Sequence, residues 1–78
     1  MSVSFPKKAI NKKLKEVRIK IRTQRVLKEY SQEYVGAQLG IGQVAYHKLE
    51  RNKTKLSLDV LLKLAIVLEV DATYFLEK

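Results

Sequence analysis

An all-α domain of five helices is what this sequence predicts, and three observations carry that expectation. Apolar residues recur at spacings of three and four; the breakers are confined to Pro6 and to Gly36, Gly40 and Gly42; and no alternating run of strand length bounded by turn residues occurs. The chain has 78 residues. That length makes one domain, since the usual domain runs to about 100–150 residues, and it excludes a multidomain enzyme. With 46% hydrophobic and 31% charged residues, the chain has the apolar content to collapse. It has no Cys and a single His, so neither a disulfide nor a zinc site can staple it and helix packing must supply the stability.

The first helix is expected over residues 8–28, with Pro6 just ahead of it. Ile10, Leu14, Val17 and Ile21 form one face, and Lys12, Lys13, Lys15, Lys20 and Arg22 cover the other sides, while Ile19 and Val26 break the pattern. Ser31 suits an N-cap and Glu33 the positive end of the helix dipole, so a second helix opens there and closes at Leu39-Gly40. Gly40 can take the left-handed C-cap conformation that other residues avoid. After Gly40-Ile41-Gly42 a third helix follows over residues 43–50, with Gly42 at its N-cap, where it retains only part of the usual capping benefit. A basic stretch leads to Ser57, the N-cap of a fourth helix whose inward face is expected to be Leu58, Leu61, Leu62, Ala65 and Leu68. Asp71 caps a short fifth helix over residues 72–76.

Charge is unevenly placed. The net charge is +8, but residues 1–28 hold ten basic residues against one acid, Glu16, a net of +9, whereas residues 29–78 hold six against seven, a net of −1. A bias of this size points to an anionic partner. There is no signal-peptide apolar block and no run of 18 apolar residues, so a soluble protein is expected, without a membrane partner. The absence of Cys fits a reducing cytoplasm, which is the expected location. His47 is the one side chain that ordinarily titrates near neutral pH, yet no nucleophile or paired carboxylate accompanies it in the motif, so no enzyme and no catalytic residue are expected.

The segments Tyr30-Ser31-Gln32-Glu33-Tyr34-Val35-Gly36, Leu39-Gly40-Ile41 and Tyr46-His47-Lys48-Leu49-Glu50-Arg51-Asn52 resemble the lambda-repressor-like helix-turn-helix domains of Cro and repressor type, the XRE family. The likeness continues through Leu56-Ser57-Leu58-Asp59 and Leu61-Leu62-Lys63-Leu64-Ala65 into Leu68 and Val70, covering about residues 21–76. It implies a compact five-helix DNA-binding domain over residues 14–78, preceded by a basic arm and helix start over residues 1–13. Gly36 falls where two helices cross closely and a large side chain would hold them apart. In the family the glutamate at Glu50 pairs with an arginine that maps to Arg25. Asn52 replaces the family's glycine after the third helix, a mild departure because Asn tolerates positive φ.

The resemblance places the third helix in the major groove of double-stranded DNA, with base contacts at Gln43, Val44 and Lys48 and with Ala45 and His47 as neighbours. Gln43 suits an adenine edge, Lys48 guanine acceptors, and Val44 or Ala45 a thymine methyl. Gln32 maps to a phosphate-contacting position at the start of the second helix, and Arg51, Lys53 and Lys55 lie in the loop expected along the backbone. These contacts position the protein rather than specify sequence. The implied function is a prokaryotic transcriptional regulator, a repressor at an operator, with no cofactor, metal or small-molecule substrate. A homodimer is expected through Ile66, Val67, Val70, Tyr74 and Phe75, unless the long first helix covers that surface within the monomer. Two other readings stand beside it: an antitoxin-type module partnered by a toxin, and a sequence-tolerant nucleic-acid binder driven by the basic N-terminus. For Lys7, Lys8, Lys12, Lys13 and Lys15, an arm tracking phosphates, a solvated tail, and binding to an anionic membrane or acidic partner all remain open.

Overall fold

The computed structural model describes residues 3–77; Met1, Ser2 and Lys78, at the ends of the expected arm and domain, lie outside the described residues. Among the described residues every regular element is helical: α1 (Lys7–Leu27), α2 (Gln32–Leu39), α3 (Gly42–Glu50), α4 (Leu58–Val67) and a final 3-10 turn (Ala72–Leu76). The expected fifth helix is thus a tighter 3-10 segment, headed by Asp71, whose carboxylate accepts from the Thr73 N–H and hydroxyl at 3.1 and 3.0 Å.

α1 is far longer than its neighbours, about 32 Å at 1.5 Å per residue. It overhangs the body of the domain. Val17 and Ile21 are buried, but Ile10 and Leu14, on the same expected face, remain 43% and 37% exposed. Helical periodicity continues past the point where α3 and the C-terminal 3-10 turn stop providing a surface to pack on. The molecule is accordingly elongated, 45 × 24 × 17 Å.

α2 begins as the sequence suggests, with the Ser31 hydroxyl accepting the Tyr34 N–H at 2.9 Å. It ends at Gly40, whose φ of 75° is left-handed and lets the Ile41 N–H reach the Gly36 carbonyl at 3.0 Å. The two short helices then meet closely: a Cβ on Gly36 would stand 2.4 Å from the carbonyl oxygen of Gly42. Gly42, expected as the cap of α3, is its first residue, with φ of 82°, and Ile41 occupies the cap position without a side-chain hydrogen bond. The left-handed backbone at Gly42 accounts for the missing Ser or Thr, because such residues resist that conformation.

Ser57 caps α4 by accepting the Val60 N–H at 3.2 Å. The inward face of this helix differs from expectation. Leu61, Leu64 and Ala65 are buried, with Leu68 just beyond, whereas Leu58 and Leu62 are 69% and 48% exposed. Both sets have helical spacing, and packing against α2 and the C-terminal 3-10 turn selects one of them. Val35, Leu39, Tyr46, Leu49 and Phe75 complete the core. Phe75, expected on a dimer surface, is wholly buried because the 3-10 turn folds it into the domain interior.

α1 also holds the C-terminal segment. Lys20 Nζ donates to the Tyr74 carbonyl at 2.9 Å and to that of Glu77, and stands 5.1 Å from the centre of the Tyr74 ring. Gln24 donates to the Tyr74 hydroxyl at 3.2 Å. The first helix therefore covers the Tyr74 side of the C-terminal surface but leaves Ile66 78% exposed. Three exits use left-handed residues other than glycine: Glu29 after α1, Asn52 after α3 and Glu69 after α4, with φ of 59°, 60° and 58°.

Candidate nucleic-acid interface

The inner side of α3 is anchored by Tyr46 and Leu49, both buried, so the helix turns Gln43, Val44, His47 and Lys48 outward. Val44 is 70% exposed, while Ala45 lies half-buried at the margin of this face. Arg51, Lys53 and Lys55, in the loop after α3, are all exposed.

Beneath this face lies a polar network centred on Glu50. Arg25 donates to its carboxylate through Nε at 2.6 Å and Nη2 at 3.1 Å, Gln32 donates at 3.1 Å, and the Tyr46 hydroxyl donates a further bond. The Glu50 side chain is only 2% exposed and that of Arg25 13%. The pairing implied by the family resemblance is present and buried. Burial alone would raise the Glu50 pKa, but the combined donors from Arg25, Tyr46 and Gln32 outweigh it and hold the carboxyl below its ordinary value. The Tyr46 phenol is pushed far up, first by burial and then by the adjacent carboxylate. Arg25 also donates to the Tyr30 carbonyl at 2.9 Å, fastening the end of α1 to the approach to α2.

Gln32, which the resemblance places at a phosphate, has its side chain between Glu50 and His47. An ionised Glu50 only accepts, so Gln32 must present its amide N–H to it and its oxygen to His47 Nδ1, 3.0 Å away. Nδ1 therefore carries the hydrogen, and in the neutral ring Nε2 is left as an acceptor. The buried ion pair fixes the orientation of a side chain on the outer face of α3.

Arg18 is the polar residue that sequence reasoning missed. It is 5% exposed, with Nε donating to the Leu49 carbonyl at 2.9 Å and Nη2 to the Thr54 carbonyl at 2.8 Å. It thereby joins α1 to the end of α3 and to the following loop. A charged residue in a lysine-rich helix reads as surface, yet Arg18, Ile21 and Arg25 stand at helical spacings of three and four, the signal that could have placed Arg18 on the inward side. Gly36, inside α2, stands at the crossing with α3, and Gly40 at the left-handed C-cap of α2, as expected of them. Of the remaining dimer candidates, Ile66 is exposed and Val67, Val70 and Tyr74 are half-buried. Among the described residues no three His, Cys, Asp or Glu side chains cluster in a metal-binding arrangement, and no helix is long and apolar enough to cross a membrane.

Two short helices crossing at a glycine, the second presenting a polar face braced from below, form a helix-turn-helix, a class of DNA-binding domain. A family model described as Helix-turn-helix matches residues 21–75, and the chain belongs to this family, the Cro/C1-type DNA-binding regulators. No curated protein and no solved structure matches the chain significantly. The family region begins at Ile21, so most of α1 lies ahead of it.

Proposed function

We propose that the protein is a sequence-specific transcriptional repressor that inserts α3 into the major groove of an operator. The observation that carries this reading is the exposed row Gln43, Val44, His47 and Lys48 on a helix whose underside is locked by Arg25, Glu50, Gln32 and Tyr46. Binding rewards such preorganisation, because side chains already ordered lose less entropy on the duplex. Gln43 matches an adenine edge, Lys48 guanine acceptors, and Val44 with Ala45 a thymine methyl, each good bidentate polar pair discriminating by about 1–3 kcal/mol. Arg51, Lys53 and Lys55 supply phosphate contacts that set register. Repression follows from occupancy of a promoter-proximal site.

Fluorescence anisotropy tests this reading, comparing the protein's own upstream region with scrambled DNA of equal length at low and physiological salt. The wild type is expected to prefer the upstream region by at least about 10³-fold, and Gln43→Ala to shrink that gap. Equal affinities that fall together with salt would count against an operator in that region and favour electrostatic binding alone.

The dimer reading belongs to the same proposal. Leu58, Leu62 and Ile66 recur every fourth residue on α4 and are 69%, 48% and 78% exposed, giving an apolar stripe suited to a second copy. A two-fold pair would present two α3 helices about 34 Å apart, one turn of DNA.

A further inference from the structure

We propose that the two shallow basic grooves flanking Arg18 seat DNA backbone phosphates, so that α1 adds a line of contacts beyond those of the helix-turn-helix. The proposal rests on the DNA-binding reading above. One groove is lined by Arg18 with Lys53 and Lys55, and the other by Arg18 with Lys15, Arg22 and Arg51. The one acid lining either is Glu50, whose charge is already engaged by Arg25.

Three features distinguish these grooves from an ordinary solvated basic surface. Arg18 is itself buried between them, makes no salt bridge among the described residues, and has Nη1 buried without a hydrogen-bond partner. Its guanidinium bonds only neutral carbonyls, so its charge is uncompensated, and burial accordingly disfavours it. Secondly, five cations, Lys15, Arg22, Arg51, Lys53 and Lys55, are gathered around the buried Arg18 and form no ion pair among the described residues. Thirdly, Arg51 directly follows α3, so the second groove continues from the end of the reading helix onto α1. That continuity favours the backbone of the same duplex over an acidic peptide. Lys15 and Arg18 lie ahead of the matched residues 21–75, so this part of the grooves falls outside the family region.

The salt dependence of binding measures the number of phosphates neutralised. Two duplexes serve as probes: a 30-bp random-sequence duplex and one of equal length selected by the wild type from a randomised library. Lys15→Gln/Arg22→Gln alters two exposed side chains and leaves Arg18 in place to hold the Thr54 loop; circular dichroism melting verifies folding. On both duplexes the double variant is expected to lower the magnitude of the log Kobs against log[salt] slope by about 1.8, two phosphates at about 0.9 each, with the preference for the selected duplex intact. Lys63→Gln, on α4, is expected to leave the slope unchanged. A wild-type slope in the double variant, or an equal loss per charge in Lys63→Gln, would overturn the proposal. Failure to select any duplex over random sequence would sink the sequence-specific reading instead, since the slope on random duplex decides the groove contacts independently. Absence of any binding at low salt would remove both.

Discussion

Glu50 is the residue on which the outer face of α3 depends. Its carboxylate takes bonds from three side chains on three different helices, so losing one partner leaves a buried charge short of compensation. Arg25→Met is expected to cost about 3–5 kcal/mol, read as a shift in the denaturant midpoint at constant slope. The effect depends on pH in a definite direction. Glu50 is held below its ordinary pKa in the folded chain, so as pH falls the unfolded state takes up the proton first. Its contribution is therefore complete above the normal carboxylate range and is lost as pH drops through the folded value. Comparing wild type with Glu50→Gln from pH 7 to pH 3, the stability gap should narrow; a gap constant across that range would refute the assignment. The pair itself was legible through family resemblance. Its attachment to Gln32, and through Gln32 to His47, was not, because hydrogen bonds between separate helices leave no periodic trace in a sequence; the bond from Tyr46 lies within α3, four residues before Glu50.

At the scale of elements, local chemistry was the most legible part. Ser31, Ser57 and Asp71 cap as expected, and Gly40 turns left-handed as expected, because capping is decided within three or four residues. Which face turns inward was less so. The segment from Leu58 to Val67 is apolar nearly all round, and two stripes of valid helical spacing compete; only the position of the neighbouring helices chooses Leu61, Leu64 and Ala65. Ile10 and Leu14 were misplaced for a related reason, since periodicity predicts a face but not whether anything stands opposite it. The crossing of α2 and α3 makes a sharper prediction. A methyl at Gly36 would meet backbone rather than a yielding side chain, 2.4 Å from the Gly42 oxygen, so Gly36→Ala should cost about 1–3 kcal/mol through forced separation of the helices. Thermal melting measures the loss. DNA affinity should fall further than the unfolded fraction explains, because α3 itself is displaced; an unchanged melting temperature would contradict the contact.

For the whole molecule, the described fold leaves two surfaces of opposite character. The apolar stripe Leu58, Leu62 and Ile66 is the site proposed for self-association, and Ile66→Glu is expected to shift sedimentation towards monomer while leaving the far-ultraviolet circular dichroism intact. Losing the dimer should weaken operator binding more than binding to a single half-site, since the linked second site is no longer held at high effective concentration. Sedimentation identical to wild type would exclude this stripe. The basic surface joins Lys15, Arg18 and Arg22 of the +9 segment to Arg51, Lys53 and Lys55 of the segment whose net charge is −1, a juxtaposition made by packing that charge counting cannot supply.

The left-handed helix exits leave room for engineering. Glu29 and Glu69 hold φ near 60° without the freedom of glycine, a posture costing an L-residue about 1–2 kcal/mol. Glu29→Gly and Glu69→Gly should therefore raise the melting temperature even though glycine usually weakens a chain, with Glu69→Gly gaining less because it gives up the surface pair to Lys28. Calorimetry of the two single variants would show it, and a fall in both would deny any strain there. Neither residue belongs to α3, whose outer face is proposed to read DNA, so a hardier version built at these joints is expected to keep its recognition helix unaltered.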